Sequence, residues 1–522
     1  MTLLAAAARV IEAGPVCDVC LGRPFAERSF GLTNRERGRT LRVAVAMDAD
    51  EPFEPTDPAD CWVCEGYADT VDALADAVVA TLEGVDFDTY QLGSRIPPLY
   101  EENDRLLRED ARLDPDAGES LGREINREVG RRVGTATGGE VSFDRPDVLA
   151  ICDLGAYDPH AVLDGESVTG HAVDRQINPA FVYGRYRKLD RDIPQTEWPC
   201  RECGGESVQL GDDGEEACTY CDGSGYMYET SVEQTVRPHV VEAMDGSGGT
   251  FHGAGREDVD ARMLGTGRPF VFEVTDPHER HPDVGALEAR INDDAEGVEV
   301  EGLRLATYEM VERVKEHDAS KHYRATVEFA SPVGADSFEA ALEALDGATV
   351  EQYTPRRVDH RRAGLTRKRQ VYAIDGELDP DGADSEVADV AGGDDADANG
   401  DAAESAETDD DTDSLTHADA AGTKTATVEI HGEGGLYVKE LVSGDDGRTE
   451  PSLAGELGIG CEVTALDVLA VEGEDVPFES EAYFHDEPQA SDGALPSEVG
   501  EASAGTEELT DEGQAPSTGD SR

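Results

Sequence analysis

The sequence predicts a protein of the α+β class, organised in more than one domain. The chain has 522 residues, which exceeds the size at which one hydrophobic core stops growing. Helix-like and strand-like patterns alternate between residues 66 and 170, and strand-like patterns prevail from residue 251 to about residue 370. These three observations favour a smaller domain of helices and strands, followed by a larger domain rich in strands.

Individual elements can be predicted in chain order. The segment TVDALADAVVATLEGV places apolar residues three and four apart, as in an amphipathic helix. A second helix is predicted for ESLGREINREVGRRVGTATG and ends at Gly138 at the latest, because glycine often terminates helices. PDVLAICDLG then reads as a buried strand. Further strands are predicted for PFVFEVTD and YRATVEFASP.

Charge is the strongest compositional signal. The chain carries 115 acidic and 44 basic residues, a formal net charge of -71, and such a surface should repel nucleic acids and anionic membranes. Only six of the basic residues are lysine, however. An acidic, lysine-poor surface is typical of halophilic proteins, which work in concentrated salt where charges are screened within about 3 Å. Net charge therefore does not exclude an RNA partner.

No segment is apolar enough to cross a membrane. A spanning helix needs roughly 18 or more uninterrupted apolar residues, and Arg9 and Glu12 interrupt the apolar start MTLLAAAARVIEAG. We expect a cytoplasmic protein with no membrane partner.

Two acidic segments are predicted to be disordered. One is an insertion at residues 375–423, where GGDDADANGDAAESAETDDDTDS offers nothing apolar beyond alanine, so burial could not offset the entropy lost on ordering. The interrupted domain resumes at KTATVEIHGEGGLYVKELV. The other segment is the tail, residues 476–522.

Eight of the ten cysteines form four Cys-x-x-Cys pairs. Two pairs lie close together in CRECGGESVQLGDDGEEACTYCDGSG, a spacing that predicts one tetrahedral zinc site. A redox pair would instead accompany a strand–helix unit. The four predicted ligands are Cys200, Cys203, Cys218 and Cys221.

The other two pairs, CDVC and CWVC, predict a second zinc site with a longer loop between its halves. The alternative is four incidental thiols. The predicted ligands are Cys17, Cys20, Cys61 and Cys64. With four protein ligands each, up to two zinc ions would be structural.

Two basic clusters stand out against the acidic background, and both contain tyrosine. YTPRRVDHRRAGLTRKRQ holds seven basic residues and one acid, and YGRYRKLDR adds a second group. Guanidinium groups beside aromatic rings favour RNA binding. The alternative is a set of intramolecular ion pairs, but too few acids lie nearby in the sequence. The candidate RNA-binding residues are Arg185, Arg187, Lys188, Arg356, Arg357, Arg361 and Arg362.

The segment GREDVDARMLGTGRPF matches neither a helical nor a strand period. Arg256 could keep Asp258 ionised through a charge-assisted hydrogen bond, and the glycines could let a nucleotide backbone approach. Asp258 would then act as nucleophile or base. A plain turn, or a magnesium site built from Asp258 and Asp260, is the alternative.

The extended segment GREDVDARMLGTGRPFVFEV resembles the catalytic motif of pseudouridine synthases, specifically the archaeal and eukaryal tRNA synthases with an N-terminal THUMP-containing domain. The resemblance continues through CDVCLGRPFA, CWVC, INPAFVYGRYRKLDRDIPQTEWPC, KHYRATVEF, TPRRVDHRRA and GGLYVKELVSGDDGRTEPSL. It implies a pseudouridine synthase catalytic domain with a mixed, mainly antiparallel sheet, and an N-terminal THUMP-containing α/β domain with a zinc site.

The resemblance also implies the domain organisation. An N-terminal zinc region would span residues 1–65 and a THUMP-containing RNA-binding domain residues 66–170. The catalytic domain would span 171–475, and would include a zinc ribbon at 200–221.

Residue roles follow from the same resemblance. Asp258 would be the catalytic residue, with Asp260 ranked second. Tyr323 would stack on the target base, Lys439 would pair with the catalytic carboxylate, and Leu466 would pack the pocket floor.

The implied reaction converts uridines 54 and 55 in the T-loop of tRNA to pseudouridine after base flipping. The carboxylate would attack C1′ or remove a proton from C2′. The N-terminal region would measure the distance to the acceptor end, and no organic cofactor or obligatory protein partner is implied. A non-catalytic zinc-containing tRNA-binding protein is the main alternative. An RNA methyltransferase is disfavoured because no glycine-rich cofactor loop follows a strand.

Overall fold

The computed structural model describes residues 2–211, 214–316, 319–359, 363–379, 422–472 and 480–485. Its helices are α1 (Leu3–Ala13), α2 (Asp18–Gly22), α3 (Asn34–Ala49), α4 (Val71–Leu82), α5 (Pro98–Ala111), α6 (Leu121–Thr137), α7 (Pro159–Leu163), α8 (Val232–Ala243), α9 (Val284–Asp294), α10 (Tyr308–Lys315), α11 (Ala335–Leu345), α12 (Val438–Ser443) and α13 (Leu453–Leu457).

Its strands are β1 (Thr89–Arg95), β2 (Glu140–Val141), β3 (Val148–Asp153), β4 (Val173–Ile177), β5 (Ala180–Lys188), β6 (Val208–Gly211), β7 (Gly214–Ala217), β8 (Gly248–Gly253), β9 (Ala261–Thr275), β10 (Val298–Ala306), β11 (Ser320–Val333), β12 (Thr349–Tyr353), β13 (Thr366–Leu378), β14 (Thr423–Gly432), β15 (Thr449–Glu450) and β16 (Cys461–Glu472).

The N-terminal part is a four-stranded sheet, order β2-β1-β3-β4, packed with helices α1 to α6. The predicted helices α4 and α6 and strand β3 are confirmed. In α6 the apolar residues Leu121, Ile125, Val129 and Val133 are buried, and Gly138 ends the helix in the left-handed conformation. Because β4 pairs with β3, this sheet extends beyond residue 170, the boundary that the sequence predicted.

The second part is built on a ten-stranded sheet, order β10-β5-β9-β16-β11-β14-β13-β12-β15, with β8 also paired to β9. Strand β16 runs parallel to β9, and the other described pairings in this sheet are antiparallel. The predicted mixed, mainly antiparallel sheet and the α+β class are therefore confirmed. One hydrophobic core on this sheet gathers helices α8, α9, α11 and α12.

Ten of the sixteen residues of GREDVDARMLGTGRPF belong to a strand, contrary to the prediction, since β9 begins at Ala261. Gly265 and Gly267 have positive φ. They interrupt the alternation of side chains that would mark a strand in the sequence. Gly265 (φ +58°) allows the close approach of β16, because a Cβ there would lie 1.8 Å from the carbonyl oxygen of Leu469. This glycine therefore serves strand packing.

Part of the tail predicted to be disordered is packed against the second part. Residues Glu481–Tyr483 form a 3-10 turn, and Phe484 is buried beside Tyr183, with ring centroids 5.5 Å apart. The aromatic pair Tyr483 and Phe484 supplies apolar area for this packing. Residues 380–421, most of the predicted insertion, lie outside the described residues, and its two ends belong to β13 and β14.

Among the described residues, no helix has the length and apolar character needed to cross a membrane.

Candidate active site

A cavity of about 610 Å³ opens where the loop between β8 and β9 meets strands β11 and β16. The residues with predicted roles in catalysis or substrate binding all line it. They are Asp258, Tyr323, Lys439, Arg256 and Leu466. Residues separated by more than 200 positions in the sequence therefore meet at one site.

The carboxylate of Asp258 lies between two cations. Arg357 donates from Nη1 to Oδ1 at 2.8 Å, and Lys439 Nζ lies 3.8 Å from Oδ2. Lys439 makes its closer contact with Asp260, at 2.5 Å from Oδ2. Burial alone would raise the pKa of Asp260, but Lys439 outweighs it and holds that pKa below the ordinary value. Arg357, which the sequence assigned to RNA binding, is thus the nearer partner of Asp258.

The buried residue Glu440 orients Arg357. It accepts from Arg357 Nε at 2.6 Å and from Nη2 at 3.3 Å, and it lies on α12 next to Lys439. Burial opposes the charge of Arg357, but Glu440 and Asp258 raise its pKa above the ordinary value. One guanidinium therefore connects two carboxylates in a fixed geometry.

A buried charge network anchors the loop that carries Asp258. Glu257 lies 2.9 Å from Nε of Arg268 on β9 and accepts from the hydroxyl of Tyr186 at 2.9 Å. The side chains of Glu257 and Arg268 are each 1% exposed. Burial and the charge of Glu257 raise the pKa of Tyr186, so Tyr186 remains a hydrogen-bond donor.

Lys188 belongs to the same network, which corrects its assignment to RNA binding. Its ammonium is fully buried, donates to the carbonyl oxygens of Ile193, Val259 and Asp258, and lies 3.7 Å from Glu257. Burial lowers its pKa, and Glu257 opposes that shift. An enclosed ammonium is not available to an RNA phosphate; it fixes the backbone at Asp258 instead.

Tyr323 and Leu466 form the apolar part of the cavity. Tyr323 lies on β11 opposite Val468 of β16, and Leu466 lies opposite Ala325. Burial raises the pKa of Tyr323 to about 12, so its ring remains neutral. A neutral aromatic ring and an aliphatic side chain provide surfaces for a nucleobase.

Arg256 does not occupy the position that the sequence predicted. Its guanidinium lies over the ring of Trp198, 5.6 Å from the centroid. Gly255 precedes Arg256 with φ +69°, a left-handed conformation that favours glycine. This turn directs Arg256 along the cavity wall. Arg357 and Lys439 supply the cations next to Asp258 instead.

The other basic residues divide between ion pairs and backbone contacts. Arg187 is neutralised by Glu299 and Glu301, each at 2.9 Å, and Arg356 pairs with Asp446. Arg185 donates to the carbonyl oxygen of Thr266 at 2.6 Å. Few acids lie near the Arg356–Arg369 cluster in sequence, but acids distant in sequence supply partners for part of it, including Glu351 for Lys368 and Glu433 for Arg369. Arg361 and Arg362 lie outside the described residues.

The eight paired cysteines form two groups of four whose sulfur atoms lie within 4.8 Å of one another. One group comprises Cys17, Cys20, Cys61 and Cys64, and the other comprises Cys200, Cys203, Cys218 and Cys221. The first group is buried in the N-terminal core, where the buried Arg23 donates to Cys20 Sγ at 3.3 Å. Four sulfurs beside a buried cation suit a thiolate-bound zinc ion. Both groups could hold zinc.

Sequence reasoning missed the roles of Arg357, Glu440 and Glu257. No pattern in YGRYRKLDR indicates that Lys188 pairs with the buried Glu257. The Arg357–Glu440 contact spans 83 positions, so no local pattern reports it.

Known protein families and relatives match most of the chain. The family model "Pus10, C-terminal" matches residues 181–388 and 413–472, and "Pus10 THUMP domain, archaeal" matches residues 74–153. A tRNA pseudouridine synthase Pus10 from Halorubrum lacusprofundi is 54% identical, covering 93% of this chain and 100% of the relative. Those from Methanothrix thermoacetophila (37% identical, 90% and 95% covered) and Pyrococcus furiosus (32%, 90% and 98%) are also similar. The chain therefore belongs to the Pus10 family of pseudouridine synthases.

Proposed function

We propose that this enzyme converts uridines 54 and 55 in the T-loop of tRNA to pseudouridine, with Asp258 as the catalytic residue. The observation that carries the proposal is the position of Asp258 in a cavity of about 610 Å³, between two cations and next to a neutral aromatic ring. The curated relatives are tRNA pseudouridine synthases, which supports tRNA as the substrate.

The reaction breaks the bond from C1′ to N1 and forms a bond from C1′ to C5. The carboxylate of Asp258 would either attack C1′ or remove the proton from C2′. After the uracil rotates, C5 bonds to C1′; in the first route the bond between C1′ and the carboxylate breaks at this step, and in the second route C2′ regains its proton. The hydrogen on C5 then leaves to solvent and N1 gains a proton, so the product is an isomer. Both routes need an ionised carboxylate, and Arg357 donates a hydrogen bond to Oδ1 of Asp258 at 2.8 Å.

The remaining residues of the cavity would bind the flipped nucleotide. Tyr323 would stack on the uracil, and Leu466 would support it from the pocket floor. Lys439 would remain paired with Asp260, with Nζ at 2.5 Å from Oδ2. It would also add positive charge near the phosphate of the flipped nucleotide. Arg256, on the cavity wall, would contact the RNA backbone.

Outside the cavity, fewer basic residues are left for RNA binding than the sequence predicted, because Arg187 and Lys188 pair with glutamates of the protein. Arg185 and Arg356 would also contact the RNA, as would Arg361 and Arg362, which lie outside the described residues. The THUMP-containing region would bind the acceptor end of the tRNA. The group of four cysteine sulfurs in each part suits a structural zinc ion. The cytoplasm, where tRNA is matured, is the proposed location.

Mapping pseudouridine on an unmodified tRNA transcript, incubated with the protein in concentrated KCl, tests the substrate. We expect conversion at positions 54 and 55, and loss at one position alone when that uridine is replaced by cytidine. Conversion outside the T-loop would contradict the proposed substrate. Tight tRNA binding without conversion would favour the non-catalytic binding protein.

A further inference from the structure

Three neighbouring strands place metal-binding side chains on one face of the large sheet. His322 on β11 lies directly opposite His431 on β14. On the other side of β11, Glu472 of β16 pairs with Ser320, two residues from His322 and therefore on the same face. Each strand thus contributes one side chain to a common point.

The donor atoms are close enough to share one ion. Glu472 Oε1 lies 2.8 Å from His322 Nε2, and Glu472 Oε2 lies 3.7 Å from His431 Nε2. The two imidazole rings are stacked, with centroids 3.9 Å apart and planes 14° apart. All three groups offer a donor atom within 4.8 Å of the others.

Hydrogen bonding accounts for only part of this arrangement. His322 Nε2 is shielded from solvent and makes no hydrogen bond among the described residues, although the Glu472 carboxylate is 2.8 Å away. Ser320 Oγ lies 3.0 Å from His431 Nε2 and could orient a water ligand. A cation between the three groups would satisfy the nitrogen and the carboxylate together.

We propose that His322, His431 and Glu472 bind one divalent transition-metal cation of the zinc class. Two imidazoles and one carboxylate suit such ions, and side-chain exposures of 35% for His322 and 25% for His431 leave coordination positions for water. The site lies outside the catalytic cavity and is separate from the cysteine clusters. Its cation would connect β14, β11 and β16, the strands that support Tyr323 and Leu466, and would thereby stabilise the sheet.

Isothermal titration of the protein, with both cysteine clusters already loaded with zinc, tests the site. Added Zn²⁺ in concentrated KCl is expected to give a saturable binding step for the wild type and to raise its unfolding temperature. The single variants His322→Ala, His431→Ala and Glu472→Gln should each lose this step and the temperature increase.

His278→Ala is the matched control, because His278 has 34% side-chain exposure and an acidic neighbour, Asp245, at 3.4 Å. It should keep the binding step. Equal unfolding temperatures of all variants without added Zn²⁺ would show that the loss is not misfolding. A wild type without the step, or triad variants that bind Zn²⁺ as the wild type does, would overturn the proposal.

Discussion

Arg357 donates a hydrogen bond to Asp258 at 2.8 Å although the two residues are 99 positions apart in the chain. The same guanidinium is held by Glu440. The orientation of the Asp258 carboxylate, the proposed catalytic group, therefore depends on a guanidinium that Glu440 holds on its other side. We propose that Arg357 is a positioning residue for Asp258.

Arg357→Gln should lower the rate of the chemical step by about 10²-fold, because Asp258 loses a preorganised charged partner. Arg357→Lys should recover only part of the rate, since an ammonium cannot span Asp258 and Glu440 together. Single-turnover kinetics measures the step directly, with tRNA affinity measured in parallel.

Arg356→Gln is the matched control for that experiment. Arg356 precedes Arg357 but pairs with the exposed Asp446. Its loss should at most weaken tRNA binding, so the single-turnover rate at saturating enzyme concentration should stay close to that of the wild type. Equal rates for Arg357→Gln and Arg356→Gln would contradict the role of Arg357.

Glu257→Gln should destabilise the fold by about 3–5 kcal/mol, because it leaves the buried cations Arg268 and Lys188 without their shared carboxylate. Denaturant unfolding at fixed KCl concentration measures this free energy. As a control, Glu301→Gln removes an exposed partner of Arg187 and should change stability by at most about 1 kcal/mol. A similar decrease in the free energy of unfolding in both variants would contradict the proposed contribution of the buried network to stability.

Local sequence patterns predicted the features that depend on near neighbours. The apolar spacing located α4 and α6, and the cysteine spacing predicted both four-cysteine groups, which the structure brings together. The motif around Asp258, one of several segments that carry the family resemblance, is continuous in sequence and made Asp258 the candidate. The two helices, the four-cysteine group at residues 200–221 and this motif are each encoded within a short stretch of chain.

Contacts between distant segments were not predictable in the same way. Lys188 looked like an RNA-binding residue because its sequence neighbours are basic, yet folding encloses it with Glu257. The burial of Phe484 near Tyr183 likewise depends on the strand order of the large sheet. Charge composition reports the average surface and cannot assign partners to individual cations.

Cys61→Ser and Cys203→Ser should each remove about one zinc ion per chain but differ in their effect on stability. Cys61 is fully buried within the N-terminal core, whereas Cys203 is half-buried. We therefore expect Cys61→Ser to lower the unfolding temperature more. Zinc analysis of purified protein together with thermal unfolding measures both effects, and undiminished zinc content in either variant would contradict the assigned ligands.

Asp467 should make stability depend on pH at the acidic end. Burial alone would raise its pKa, but Arg262 and Arg191 outweigh it and lower that pKa below the ordinary value. A carboxylate with a lowered folded pKa stabilises the fold above its unfolded pKa, near about 3.9, and loses this contribution as pH falls through the folded pKa. The wild type should therefore exceed Asp467→Asn in stability near neutral pH.

That stability difference should shrink below about pH 4. Unfolding temperatures of both proteins across an acidic pH series at constant KCl measure it. A difference that stays constant, or grows, on acidification would contradict the ion-pair explanation.

The most direct test of the account compares Asp258→Asn with Asp260→Asn, using tRNA labelled with tritium at C5 of uridine. Tritium is released when the new bond to C5 forms, so single-turnover release reports the reaction itself. We expect Asp258→Asn to bind tRNA but to react at least about 10⁴-fold more slowly than the wild type, and Asp260→Asn to keep most of the rate. Release by Asp258→Asn at the wild-type rate, with loss in Asp260→Asn, would contradict the assignment of Asp258 as the catalytic residue.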